Sequence, residues 1–215
     1  MRLSLRLFLL TFLLQFSSWS QFSVGAFGGY NLLGRLNVGL YTEYALDESF
    51  MSWSSSFRFA YTYTIPYSRP GDNEPVVKSI PGNHEGTASF ARTTDKFYHH
   101  SFFIEYKDYS DDYEEGPYWK SIIGISTSKV KREWMPGSNA NIMANSDLFT
   151  IRQISLNLGL GGGYELNVSD NISIYGELSA MLPFIKLSSN SKRYDRFPDI
   201  SLGLQLGVKY KLFNV

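Results

Sequence analysis

The sequence predicts an all-β chain, an eight-stranded antiparallel up-and-down transmembrane β-barrel. Three observations predict it. Large apolar residues recur at every second position over long stretches, the intervening positions are Gly, Ser, Thr and Asn with occasional charges, and the connections alternate between short and long. Period two marks a strand with one apolar face. Alternating link lengths mark short turns on one side of a membrane and longer loops on the other.

The chain begins with an export signal. Arg2 and Arg6 flank the start of an apolar run from Leu7 to Leu14, and Ser18-Trp19-Ser20 is a small-x-small cleavage site; these are the three parts of a secretory signal. The run is apolar all round, unlike an amphipathic surface helix. It is also short of the roughly 20 residues that a helix needs to span a bilayer. Residues 1–20 therefore read as a cleaved signal peptide and 21–215 as an outer-membrane β-barrel domain, with Gln21 at its start.

The strands follow in order. Residues 21–31 form the first, with Phe22, Val24, Ala26 and Tyr30 on its apolar side. In the second, Leu36, Val38, Leu40, Tyr44 and Leu46 oppose Asn37, Gly39, Tyr41 and Glu43. The third sets Met51, Trp53, Phe57, Phe59, Tyr61, Tyr63 and Ile65 against Ser52, Ser54, Ser56, Arg58, Ala60, Thr62 and Thr64. The fourth, 97–106, carries Tyr98, Phe102, Ile104 and Tyr106 on one face. In the fifth, 117–130, the signals conflict: Trp119, Ile123 and Ile125 favour one outward face, Tyr118 and Ile122 the other.

The sixth and seventh strands form a hairpin. Ile154, Leu156, Leu158, Leu160, Gly162, Tyr164 and Leu166 alternate with Gln153, Ser155, Asn157 and Glu165. A turn at 167–171 leads into Ile172, Ile174, Leu178, Leu182 and Phe184, which alternate with Ser173, Tyr175, Glu177, Ser179 and Met181. The eighth, within 199–214, sets Leu202, Leu204, Leu206, Val208 and Tyr210 against Ser201, Gly203, Gln205, Gly207 and Lys209. Long outer links are expected at 66–95, 131–149 and 186–198, and short inner links at 47–49 and 167–171. Two links break the pattern: a short outer one near 32–34 and a long inner one at 107–116.

Period two alone does not say which face looks inward, since a soluble lipocalin-like barrel shares it. Size decides. Eight strands enclose little more than their own side chains, and about five large apolar residues per strand would overfill that space, so the apolar face is expected to meet lipid. Aromatic residues near strand ends, namely Tyr44, Trp53, Tyr63, Tyr98, Tyr106, Trp119, Phe184 and Tyr210, suit interfacial girdles. The 15 tyrosines fit such an interface, each having an apolar ring and a hydroxyl that stays wet.

Composition removes several function classes. Cysteine is absent, which excludes disulfide scaffolds, thiol nucleophiles, thiolate metal sites and a lipidated N-terminal cysteine. Taking Arg2 and Arg6 from the 20 basic residues leaves 18 against 20 acidic ones, a formal charge of −2. No nucleic-acid partner is implied.

The signal ending at Ser20, the unit Gly161-Gly162-Gly163-Tyr164-Glu165-Leu166-Asn167-Val168-Ser169-Asp170-Asn171-Ile172-Ser173-Ile174-Tyr175, and the terminal Leu204-Gln205-Leu206-Gly207-Val208-Lys209-Tyr210-Lys211-Leu212-Phe213 together resemble the outer-membrane protein β-barrel domain family of the small porin-like or PorT-like type. The resemblance covers the whole mature chain and implies an outer-membrane location, lipids of that membrane as surroundings, and insertion by the barrel-assembly machinery. It implies no single activity. The final aromatic, Phe213, stands two residues before the end, which displaces the usual terminal insertion signal.

Candidate site residues are the charges on the polar faces: Glu43, Arg58, Glu105, Glu165, Glu177 and Lys209, with Lys120 a further candidate. Isolated charges in a narrow lumen are costly, so a crosslinked ion-pair network that fills the lumen is expected in preference to an ion pathway. His99 and Ser101 share a strand face beside His100 and near Glu105, an arrangement similar to the His-x-Ser of outer-membrane lipid A deacylases. It is expected to face the lumen, where a lipid substrate does not reach.

Asp108, Asp111, Asp112, Glu114 and Glu115 lack the glycine and spacing of a calcium loop and read as a solvated turn. Gly159–Gly163 alternates within a strand, so these glycines read as relief of crowding and not as a phosphate loop. Loop 66–95, with Arg69, Asp72, Glu74, Lys78, His84, Glu85 and Arg92, is the best place for an extracellular or envelope partner.

The expected function is a non-enzymatic integral outer-membrane barrel with a structural, adhesive or secretion-accessory role, a side-chain-filled lumen and no cofactor. Alternatives are a narrow channel, a lipid A-modifying hydrolase using His99 and Ser101, and a periplasmic soluble barrel carrying an apolar ligand.

Overall fold

The computed structural model describes residues 22–31, 35–46, 54–70, 74–77, 88–91, 93–110, 115–134, 150–189 and 201–212. They form β1 (Phe22–Asn31), β2 (Arg35–Ala45), β3 (Ser55–Pro70), β4 (Glu74–Val77), β5 (Ala88–Ala91), β6 (Thr93–Tyr109), β7 (Gly116–Trp134), β8 (Thr150–Ser169), β9 (Ile172–Ser189) and β10 (Ser201–Lys211). Eight of these close into a barrel in the order β1-β10-β9-β8-β7-β6-β3-β2, while β4 and β5 pair as a separate hairpin within the connection from β3 to β6. Every neighbouring pair is antiparallel, with β1 closing on β10. The fold is an up-and-down meander without a free edge, as unpaired backbone in hydrocarbon would forbid.

The registers fix the barrel's shape. Starting at Tyr118, cross-strand partners run Gly163, Glu177, Gln205, Gly29, Asn37, Thr64 and His99, and return to β7 at Ser128, ten residues from the start. Eight strands with that stagger tilt by about 43° and close at a backbone radius of about 8 Å. Such a lumen holds side chains and little else.

The apolar faces point outward. Leu206 is 66% exposed, Leu160 65%, Leu40 64%, Phe59 53% and Leu204 50%. A soluble barrel would have these residues facing one another across its centre; here the centre holds buried charges and small polar residues between two thin apolar layers made from other residues. Tyr44, Phe57, Tyr106, Trp119, Tyr164 and Tyr210 lie on the outer surface towards the end that holds the termini, with the Phe57 and Tyr106 rings 5.4 Å apart and those of Tyr106 and Trp119 6.1 Å. Tyr30, Tyr63, Tyr98, His100 and Phe184 lie towards the other end. On β6 the band between Tyr106 and Tyr98 covers eight residue steps, about 20 Å along the barrel axis at that tilt, close to the height of a lipid-facing belt.

The fifth barrel strand, β7, resolves the conflict in its sequence. Trp119, Ile123 and Ile125 are exposed, whereas Tyr118 and Ile122 are buried in the lumen, so two large residues fill inward positions, as Tyr41, Phe103 and Tyr175 do on other strands. Other boundaries need correction. β6 continues to Tyr109, which reduces the inner link expected at 107–116 to 110–115, and β7 runs on to Trp134.

The link expected at 47–49 lies outside the described residues, and β3 is described from Ser55. Ser54, Ser55 and Ser56 are all buried, and the backbone N–H of Leu46 donates to the Ser55 carbonyl at 2.8 Å and that of Tyr109 to Ser54 at 2.9 Å. Alternation therefore fails just where the strand begins. Met51, Ser52 and Trp53 lie outside the described residues, as do residues 1–21.

The inward residues of β6 read the lumen from the termini outward: Tyr109, Lys107 and Glu105, then Phe103, then Ser101 and His99, then Phe97, then Asp95. Charged, apolar, polar and apolar layers succeed one another along the axis.

Candidate functional site

The charged layer brings together four cations, Arg58, Lys107, Lys120 and Lys209, and four carboxylates, Glu43, Glu105, Glu165 and Glu177. Formal charge therefore sums to zero, and none of the eight residues is more than 5% exposed. Arg58 is the hub. Its Nε donates to Glu43 Oε2 at 3.0 Å, and its Nη1 to Glu105 Oε2 at 3.3 Å and to Glu177 Oε2 at 3.1 Å. These partners come from β2, β6 and β9, so one guanidinium ties opposite walls together.

Each remaining cation shares its carboxylates with another. Lys107 Nζ donates to Glu43 Oε1 at 3.3 Å, to Glu165 Oε2 at 3.0 Å and to the Tyr109 hydroxyl at 2.6 Å, and that hydroxyl donates onward to Glu165 Oε2 at 2.7 Å. Lys120 Nζ reaches Glu105 Oε2 at 3.1 Å and Glu177 Oε1, and the Tyr118 hydroxyl donates to Glu177 Oε2 at 2.8 Å. Lys209 joins Glu43 at 3.5 Å and pairs with Glu165. Buried ions this well matched avoid the penalty of an unpaired one.

Aromatic rings complete the layer. The Arg58 guanidinium carbon lies 4.3 Å from the Tyr41 ring centroid and 4.7 Å from that of Tyr175, so part of its charge faces π-electrons. Those rings lie flat on the barrel wall because the wall has no side chain there. A Cβ at Gly25 would fall within the Tyr41 ring, and one at Gly207 within the Tyr175 ring. The glycines of β8 act likewise: a Cβ at Gly161 would press on Lys120 and one at Gly163 on the Tyr118 hydroxyl. Beyond this layer Phe27, Ala60, Phe103, Ile122 and Met181 pack across the lumen.

His99 and Ser101 face the lumen above that apolar layer. Ser101 Oγ is 3.0 Å from His99 Nε2, His99 Nδ1 is 2.7 Å from Ser128 Oγ, and Ser101 Oγ is 2.9 Å from Ser126 Oγ, which Asn157 Nδ2 also contacts. A serine beside an imidazole is the start of a nucleophile–base pair. Here the ring's second nitrogen meets a hydroxyl, and Glu105 is committed to Arg58 and Lys120.

The cluster is roofed by Phe97, Val130 and Ile151, with Tyr67 stacked on Phe97 at 4.8 Å. A register shift between Thr64 and Tyr67 turns Tyr67 inward for this contact. Arg132 and Asp95 close the mouth with a bidentate pair, 2.7 and 2.9 Å. His100 projects the other way, 2.7 Å from the Tyr61 hydroxyl.

Of the acidic run, Asp108 accepts from Trp119 Nε1 at 3.0 Å and Glu115 from Asn167 Nδ2 at 3.3 Å; Asp111, Asp112 and Glu114 lie outside the described residues. No group of His, Asp and Glu fit to hold a metal occurs among the described residues. In loop 66–95, Arg69 stands 5.5 Å from the Tyr67 ring, only the backbone is described at Glu74, and Asp72, Lys78, His84, Glu85 and Arg92 fall outside the described residues.

Sequence reasoning missed Lys107 and Tyr109, which the acidic residues after them disguised as a turn. It also did not assign Tyr41, Tyr118 and Tyr175 to the network. Parity with Glu43, Lys120 and Glu177 was the signal available for the tyrosines.

No protein-family model matches the chain, and no curated protein sequence matches it. Among solved structures, it is similar to the attachment invasion locus protein of Yersinia pestis in complex with the heparin analogue sucrose octasulfate, at 13% identity and a TM-score of 0.47 over 89% of this chain and 97% of that one. A major outer membrane protein from Thermus thermophilus gives 16% identity and a TM-score of 0.49 over 89% and 99%. Neisserial surface protein A gives 15% and 0.41 over 89% and 95%.

Proposed function

We propose that the protein is an integral outer-membrane barrel of the small porin-like type, inserted by the barrel-assembly machinery after loss of residues 1–20. Its lumen is closed, it catalyses no reaction, and it serves as a rigid anchor. β3 and β6, which flank the β4–β5 hairpin in the chain, and β7 and β8 each join at the end of the barrel away from the termini, which is where the connections between them begin. Those connections are the surface for an adhesive, structural or secretion-accessory partner in or outside the envelope.

The observation that carries this reading is the neutral, interlocked charge layer, backed by two apolar layers across the same narrow bore. A conducting pore needs a continuous wet path, and a hydrolase needs a substrate at its nucleophile. The lumen supports neither. Planar bilayers containing the purified barrel test it: silence is expected up to voltages at which the bilayer itself fails, and discrete, reproducible channel openings would overturn the closed lumen.

A further inference from the structure

The outer face of β3 and β6 carries a polar pair inside its apolar band. Of the two described histidines, His99 faces the lumen and His100 faces outward. His100 stands one outward position below Tyr98 on β6, about 5 Å nearer the middle of the band at the strands' tilt. Its cross-strand partners are Tyr63 and Thr127. The imidazole lies 5.0 Å from the Tyr63 ring and 6.1 Å from the Tyr61 ring, with Nδ1 2.7 Å from the Tyr61 hydroxyl.

That contact assigns the tautomer. Were Nδ1 protonated and donating to Tyr61, two groups would go unmet, the hydroxyl proton of Tyr61 and the lone pair of Nε2. With the hydroxyl donating to Nδ1, only the proton on Nε2 is left over. The second arrangement is the cheaper one, and it makes Nε2–H a donor with no acceptor among the described residues. At the border of hydrocarbon such a donor is costly until something accepts from it.

Below the pair, Leu40, Phe59, Phe102, Ile104, Ile123 and Ile125 line an apolar groove of about 580 Å³, and Tyr61 lines it too. Groove and polar pair are therefore continuous. Depth identifies the acceptor. Interfacial aromatic rings such as Tyr98 sit level with lipid headgroups, so a donor about 5 Å further in is level with the ester carbonyls that join acyl chains to them. An ester accepts and does not donate, as Nε2–H requires. One donor above one groove fits one ester-linked chain.

We propose that this face of β2, β3, β6 and β7 binds a glycerophospholipid by its acyl ester, His100 Nε2–H donating to the carbonyl and the chain lying in the groove beneath. The proposal rests on the membrane-spanning reading, so the experiment separates the two. The barrel is placed in nanodiscs that hold equal amounts of ester-linked phosphatidylcholine and its ether-linked analogue, identical in headgroup and chain length. Lipids retained after detergent release are counted by native mass spectrometry. A barrel that does not enter nanodiscs at all refutes the spanning reading itself.

Given entry, the retained lipid should be enriched about fivefold in the ester form, the yield of one hydrogen bond. His100→Phe keeps a ring against Tyr63 and removes the donor, and should retain both forms equally. Thr42→Trp fills the groove from β2, and should lower retention of both forms by about tenfold, the share of roughly two buried methylenes. Folding of each variant is read independently from its gel mobility before and after boiling. Equal retention of the two forms by the wild type, an ester preference that survives His100→Phe, retention unaltered by Thr42→Trp, or no retained lipid would each overturn the proposal.

Discussion

Removing the Arg58 guanidinium tests the lumen most directly. Arg58→Met keeps much of the volume between Tyr41 and Tyr175 and deletes three ion pairs, those to Glu43, Glu105 and Glu177. Three lysines then face four carboxylates, none in contact with bulk water. Breaking a buried pair from one side costs about 3–5 kcal/mol because a charge is stranded, which lowers the folded-to-unfolded ratio by roughly two to three and a half orders of magnitude.

Adding Glu105→Gln restores neutrality, since Lys120 keeps Glu177 and Glu43 keeps Lys107 and Lys209. The double variant should therefore recover at least about 2 kcal/mol of the loss, a coupling well above that of independent sites. Reversible urea unfolding in lipid vesicles, followed by Trp fluorescence and by the mobility of unboiled samples, gives both numbers. A loss below about 1 kcal/mol in the single variant, or no recovery in the double, would mean that water or rearrangement neutralises the layer and that the ion pairs do not hold the lumen shut.

Three further outcomes are expected. Leu206→Arg, midway along β10, should destabilise the barrel in bilayers by about 2–4 kcal/mol, as charge on a lipid face does; an unchanged urea midpoint would mean that the face meets water. Gly207→Ala should cost about 1–3 kcal/mol through overpacking against Tyr175 and cost less in a Tyr175→Ala background, as the same titration would show. Ser101→Ala should cost about 1 kcal/mol for its lost hydrogen bonds, and overproduction of wild type or variant should leave the lipid A mass spectrum of the host unaltered. New deacylated species with wild type alone would make His99 and Ser101 a working pair.

Strands with one clean apolar face were legible because lipid contact imposes the same demand at every second residue. β8, β9 and β10 have the faces that their sequences indicate. The fifth barrel strand was ambiguous for a physical reason: a lumen needs a few large residues, and Tyr118 and Ile122 fill it from a strand whose outward face is also large. Lys107 was hidden because a buried lysine in a balanced network has the same identity as a solvated one in a turn. Only the neighbours tell them apart, and Glu165 lies 58 residues away in sequence. Which carboxylates the hydroxyls of Tyr109, Tyr118 and Ser56 reach was beyond pattern for the same reason: each donates to a carboxylate on another strand.

The seam between the first and last strands closes the charged layer as well as the sheet. β10 carries one residue of the charged layer, Lys209; it meets Glu165 of β8 across β9, but it reaches Glu43 of β2 only when β10 lies against β1. Until that junction zips, Glu43 and Lys209 stand near opposite edges of an open sheet; closing it brings the carboxylate and the amine together. Closure is thus sensed electrostatically at the centre of the molecule, and a partly open cylinder leaves separated ions without their partners, with every reason to finish folding or to be expelled.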